Sequence, residues 1–191
     1  KVTFILINDK NVSDYDSVNT ECTCIYVNPN TDVWELFRKI QECFSNAMYL
    51  SDCCNKIIEM SNNTSSIQKL LDLGKEILGN PLLLVDASLN FIAHAGGDTV
   101  TNEPAWNSLL SKGYMPEEYV DSVLLDGLAD EESQTNKPLL IYQTEGLKHT
   151  QLVYRILKNN SPIAYLKLLQ YNKKISKNDE QILTVLGNCL N

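Results

Sequence analysis

Residues 70–120 constrain the fold more than any other part of this chain. An amphipathic run stops at Gly79-Asn80-Pro81. Two short apolar segments follow, Leu82-Leu83-Leu84-Val85-Asp86 and Phe91-Ile92-Ala93-His94-Ala95, with only Ala87-Ser88-Leu89-Asn90 between them. Glycine accepts the left-handed conformation that closes a helix, and the nearby proline cannot continue one. Strand-length apolar runs joined by a short polar turn pair as an antiparallel hairpin. Beyond Gly96-Gly97, residues 104–125 are aromatic-rich and read as one or two helices. A hairpin between helices must lay its sheet against them to bury an apolar face.

The remainder extends that sheet. After a polar, acidic loop at 126–137, residues 139–144, 151–157 and 163–171 read as strands, with Asn159-Asn160-Ser161-Pro162 turning between the last two. In the last strand Ala164, Leu166 and Leu168 point one way. Tyr165, Lys167 and Tyr171 point the other way, with Ile163 and Leu169. That half-polar alternation predicts a sheet with one face less buried. Ser176 is placed to cap a last helix with an apolar stripe of Ile182, Leu186, Cys189 and Leu190. Upstream, Ser65 with Gln68 predicts a capping box for a helix whose face is Ile67, Leu70, Leu71, Gly74, Ile77 and Leu78.

The N-terminal residues read differently. Residues 2–7 and 22–27 are nearly continuously apolar, the pattern of strands buried on both faces, and residues 1–30 are expected to be the C-terminal part of an α/β segment. Residues 31–63 form a long linker helix, with Asp32 and Glu35 as its predicted capping box. Leu36, Ile40, Cys43, Ala47, Leu50, Cys54 and Ile57 recur at spacings of four and three, widened by Phe37, Phe44 and Met48. This heptad-like stripe predicts packing against another helix, in the same chain or in a twin, and so a homodimer.

Composition excludes several roles. The net charge is -8, and Glu117, Glu118, Asp121, Asp126, Asp130, Glu131 and Glu132 follow one another with no Lys or Arg between them. Such a surface repels phosphate and is unsuited to gripping nucleic acid. No apolar run reaches the roughly 20 residues of a membrane span. The start has no initiator Met, and Asn8, Asp9 and Lys10 interrupt the apolar run that a signal peptide needs, so the chain reads as a piece of something longer. The six cysteines are expected as reduced thiols in a cytoplasmic protein.

The order helix, two strands, helices, three strands, helix is that of a GAF or PAS-like sheet with flanking helices, an α+β fold, here assigned to residues 64–191. The run Leu70-Leu71-Asp72-Leu73-Gly74-Lys75-Glu76-Ile77-Leu78-Gly79-Asn80-Pro81-Leu82-Leu83-Leu84-Val85-Asp86 resembles the sensor half of PucR/CdaR-type bacterial transcriptional regulators. So do Lys112-Gly113-Tyr114 and Glu117-Glu118-Tyr119, and a helix like 32–60 ahead of the sensor. The resemblance runs from about residue 31 onward. It implies a signal-sensing region with an unidentified small-molecule effector. It also implies that DNA is contacted only through a helix-turn-helix following the sensor, which this chain does not contain.

Candidate chemistry is sparse. There is no Gly-x-Ser-x-Gly, His-Glu-x-x-His or phosphate loop, so no enzyme is expected. His94, with Asp98 nearby, reads first as a hydrogen-bonded histidine at a strand end. Cys22-Thr23-Cys24 and Cys53-Cys54 lack zinc-site spacing, and Cys43 and Cys54 on the helix stripe act as small hydrophobes. No metal or cofactor is expected. A ligand would sit between the sheet and residues 104–125, met by the amphipathic aromatics Trp106, Tyr114 and Tyr119, with Tyr142 and Tyr154 beyond them and His94 as a polar contact. The competing readings are that these aromatics only pack helices onto the sheet, so that the chain is a ligand-free dimerisation scaffold, or that it is a GAF-fold redox enzyme. For the last, residues 65–191 hold only Cys189.

Overall fold

The computed structural model describes residues 2–7, 22–28, 30–115, 120, 137–143 and 147–191. They divide into two compact units, Lys1–Tyr49 and Leu50–Asn191. In the first, β1 (Val2–Ile7) and β2 (Cys22–Val27) form a parallel pair in register from Val2 opposite Cys22 to Ile7 opposite Val27. Helix α1 (Val33–Asn63) starts on Asp32, whose Oδ1 accepts from the backbone N–H of Trp34 at 2.9 Å and of Glu35 at 3.5 Å. Glu35 does not reciprocate as a capping box would. It turns to Lys39, 2.8 Å away and one turn on.

The second unit contains α2 (Ile67–Leu78), β3 (Leu82–Asp86), β4 (Phe91–Ala95), α3 (Pro104–Lys112), β5 (Leu139–Ile141), β6 (Gln151–Lys158), β7 (Ser161–Leu169) and α4 (Lys177–Cys189). The strands form one antiparallel sheet in the order β4-β3-β7-β6-β5. The α+β class with helices flanking an antiparallel sheet is the one the sequence predicts.

Local chemistry explains the punctuation. Gly79 closes α2 at φ 70° with its N–H on Lys75 O. The β3–β4 turn is held by Asp86, whose Oδ1 accepts from the N–H groups of Ser88 and Asn90, both at 2.8 Å. Asn159 and Asn160 have φ of 52° and 61°, the paired positive values of a two-residue hairpin turn, so Ser161 and Pro162 belong to β7 and not to the turn. The cap of α2 differs from expectation. Ser66, not Ser65, accepts from Lys69 N at 3.4 Å. Gln68 instead bonds Asp72 and reaches the β4 carbonyl of His94 at 2.8 Å. Ser176 caps α4 in a full capping box with Asp179.

The core has two layers, one on each side of the sheet. On one side Leu82, Leu84, Leu152, Tyr154, Ile156, Leu166 and Leu168 meet Leu70, Leu71 and Leu78 of α2, Ile182, Leu183 and Leu186 of α4, and Cys53 and Ile57 of α1. On the other, Leu83, Val85, Val153, Tyr165 and Leu169 meet Ala105, Trp106 and Leu109 of α3, with Leu147 and Met115. The alternation along β7 is as expected, but its second face is not less buried. Residues 164–169 are all buried, because α3 and Leu147 pack on the side that carries Tyr165 and Lys167.

The stripe of α1 is also corrected. Leu50, Cys53, Ile57 and Met60 face the core of the second unit, a register that includes Cys53 in place of Cys54. Phe37, Cys43, Phe44, Ala47 and Met48 are exposed. Both registers satisfy spacings of three and four, and contact with α2, α4 and the sheet selects one.

Close packing fixes α4. A Cβ on Gly187 would lie 2.1 Å from Cδ1 and 2.5 Å from Cε1 of Tyr154, whose ring is tethered by its hydroxyl to Asn188 Oδ1 at 2.6 Å. Gly187→Ala gains up to about 1 kcal/mol of helix propensity. Displacing a tethered ring costs roughly 1–3 kcal/mol. The expected result is a net loss, read by urea unfolding, that Tyr154→Leu reverses in part. A more stable Gly187→Ala protein would show that α4 is loosely seated.

Asn80 ties the ends of the elements together. It is fully buried, and its Oδ1 accepts from the N–H groups of Tyr171 at 3.2 Å, Asn172 at 2.8 Å and Lys173 at 3.1 Å. Its Nδ2 donates to Lys173 O at 2.9 Å. The connection from β7 to α4 is thereby held to the end of α2.

Candidate ligand site

The α3 side of the sheet holds the polar groups. Strand register builds a row across it: Leu139, Val153, Lys167, Leu83 and His94. The adjacent row carries Ile141, Gln151 and Leu169. Lys167 is therefore near the middle of the face, and Gln151 is its diagonal neighbour on β6. Both are 1% exposed. Desolvation pushes the Lys167 ammonium down to about 8.

Helix α3 closes over this face and is anchored by Glu103. The Glu103 carboxylate is fully buried and does not cap its own helix. It accepts from Lys148 N at 3.1 Å and meets His149 Nδ1 at 2.8 Å, which pins residues 148–149 to the start of α3. The His149 ring also lies against Tyr171, centroids 5.2 Å apart. Pro104 at the first helical position needs no N–H partner, and Gly113 ends the helix at φ 83°. One turn in, Trp106 is 1% exposed. Its indole Nε1 and the Gln151 Nε2 are buried with no hydrogen-bond partner among the described residues.

The residues nominated from sequence are not brought together as a set. Trp106 lies in the α3-side layer, with His94 at the far end of the Lys167 row. His94 Nδ1 accepts from Gly97 N at 3.2 Å, its Nε2 is 3.8 Å from Asp98, and its ring is tilted against Phe91. Tyr114 and Tyr142 are 54% and 69% exposed. Tyr154 lies on the opposite face, under α4. Tyr119 lies outside the described residues. Lys167, Gln151, Glu103 and His149 were not nominated. Lys167 carried a signal, as a cation within an otherwise apolar strand.

No family model matches the chain, and no curated protein matches it. Among solved structures it is similar to the GAF domain of A. aeolicus nlh2 in an inactive state, at 14% identity and TM-score 0.48, over 76% of this chain and 94% of that one. It is also similar to the GAF domain of an Acinetobacter phosphoenolpyruvate-protein phosphotransferase, at 13% identity and TM-score 0.44, over 73% of this chain and 88% of that one. No helix among the described residues is long and apolar enough to cross a membrane.

Proposed function

We propose that this chain is the signal-sensing region of a cytoplasmic transcriptional regulator of the PucR/CdaR type, binding a small-molecule effector on the α3 face of the sheet without transforming it. The observation that carries this reading is the contrast between the two faces. The face under α2 and α4 carries an apolar layer, whereas the α3 face buries Trp106 Nε1 and Gln151 Nε2, two donors with no partner among the described residues. Buried donors are nearly always paired in folded proteins, so two on one face suit a site for an acceptor-bearing compound. Helices α2 and α4, packed on the sheet from behind, pass a shift in strand packing to a helix-turn-helix carried by another part of the protein.

Native mass spectrometry of the gently purified chain tests this. The expected result is a retained compound of defined mass, reduced in the Gln151→Leu variant. A chain always free of small molecules, with a melting temperature that no compound in a metabolite panel raises, would sink the reading.

A specific observation favours homodimerisation beside sensing. Val33, Phe37, Phe44 and Met48 are 53–68% exposed and share one side of α1 at helical spacing. A second copy presenting the same stripe would cover them. Leu50 packs into the second unit's core, so Leu50→Glu does not test association. Phe44→Glu does. Sedimentation equilibrium is expected to show a dimer for the parent chain and a Kd raised at least tenfold in the variant. A dimer indifferent to Phe44→Glu and Phe37→Glu would place the interface off this helix.

A further inference from the structure

The described residues bury three charged side chains, and two of them are paired. Glu103 holds His149 and a backbone N–H. Asp179 takes the N–H and hydroxyl of Ser176 at 2.7 and 2.9 Å and stands 3.5 Å from Lys173 Nζ. Lys167 is the third. Its environment is desolvation alone, with no hydrogen bond or counter-charge among the described residues. A buried ammonium without a partner is strongly unfavourable, and pairing it with an anion removes most of the penalty.

The chemistry around Lys167 is one-sided. Its cross-strand neighbours Leu83 and Val153 are apolar. Gln151, on the diagonal, offers an amide N–H with no partner among the described residues, and diagonal neighbours stand roughly 7–8 Å apart, within reach of one small group held between long side chains. Trp106 Nε1 is another donor on the same face. Glu103 is the buried carboxylate of this layer, and it is committed to His149. Tyr165 and Arg155 also face this side, along β7 and β6, and His94 ends the row. Among the described residues, this face gathers donors around Lys167.

We infer that Lys167 is the anion-binding group of this site, and that the compound sensed there carries a carboxylate or phosphate that pairs with the Lys167 ammonium and accepts from Gln151. The inference rests on the sensing role proposed above and adds the class of ligand. Carboxylate and phosphate share the recognised chemistry, a compact group of anionic oxygens.

Isothermal titration of the whole chain with succinate, with inorganic phosphate and with the neutral diamide succinamide separates the possibilities. One of the two anions is expected to bind saturably, and succinamide is not. Near pH 8 Lys167 is about half protonated, so anion binding draws up to roughly half a proton from solution, seen by comparing buffers of different ionisation enthalpy. Lys167→Met is expected to raise the Kd at least tenfold and abolish the proton uptake. Gln151→Leu is expected to raise the Kd and leave the uptake in place.

Binding of neither anion, or equal binding by parent and Lys167→Met, overturns the inference. Native mass spectrometry then tells which claim has failed. A retained neutral compound that survives Lys167→Met refutes the anionic class and leaves sensing standing. No retained compound, with no anion bound, refutes both.

Discussion

Replacing Trp106 with alanine is expected to lower the unfolding free energy of the chain by about 3–5 kcal/mol, the range for truncating a fully buried large aromatic. The side chain is 1% exposed and belongs to the buried layer that includes Leu83, Val153, Leu109 and Leu169, so its removal leaves a space that this layer fills only by moving α3. From sequence, Trp106 reads as a partly open contact residue and the same change would be milder. Trp106→Phe separates packing from polarity. It loses part of the buried area, but it also removes an indole N–H that has no partner among the described residues, a penalty of about 1–3 kcal/mol. The two effects are similar in size, so Trp106→Phe is expected to lie within about 1.5 kcal/mol of the parent, inside the sum of those ranges. Urea unfolding followed by circular dichroism is the suitable readout, because the other tryptophan, Trp34, is 81% exposed and reports little of this layer by fluorescence. A loss below about 1 kcal/mol for Trp106→Ala would mean that α3 is not packed as described.

Lys167→Met is expected to act in the opposite direction. Desolvation lowers the ammonium from 10.5 in the unfolded chain to about 8 in the folded one. The folded chain therefore binds fewer protons than the unfolded chain between those values, and stability rises with pH across that window. Put the other way, this stabilisation is complete above about pH 10.5 and is lost as pH falls through about 8. The shift corresponds to about 3 kcal/mol of penalty at neutral pH. Methionine fills a similar volume with no charge, so the variant should be more stable than the parent by up to about 3 kcal/mol at pH 7, the difference narrowing toward pH 10. Tyr165, Arg155, His94, Glu103 and His149 face the same side in both proteins and largely cancel in the comparison. Parallel stability–pH curves for parent and variant would show that Lys167 is solvated or paired in solution.

Much of the fold was legible because a few residues determine it locally. Gly79 and Pro81 punctuate α2, Asn159 and Asn160 make the β6–β7 turn, and Ser176 caps α4. Period-two alternation also assigned residues 164–169 of β7 to their correct sides. It could not tell whether the second side was covered, because cover comes from α3 and Leu147, far away in the chain. Lys167 thus read as half-solvated where it is fully buried. The same limit moved the stripe of α1: spacing permits Cys53 or Cys54, and only the three-dimensional neighbour chooses. The candidate site was less legible still. Alternation along β6 places Tyr154 with Leu152 and Ile156 and apart from Gln151 and Val153, and could have removed it from the set. By contrast, Glu103 meeting His149 depends on a loop closure that no local pattern announces. Asn80 looked like part of a helix stop and is also the acceptor for consecutive N–H groups of the segment that follows β7.

Those bonds give Tyr171 a particular position. Its phenol oxygen is 3.2 Å from Thr101 N and 3.0 Å from Thr101 Oγ1, just ahead of α3, while its own backbone N–H donates to Asn80 at the end of α2. One residue therefore touches the covers of both faces, linking them around the ends of the central strands and not through the sheet. The span from which α4 departs is thus bonded both to the start of α3, through Tyr171, and to the end of α2, through Asn80.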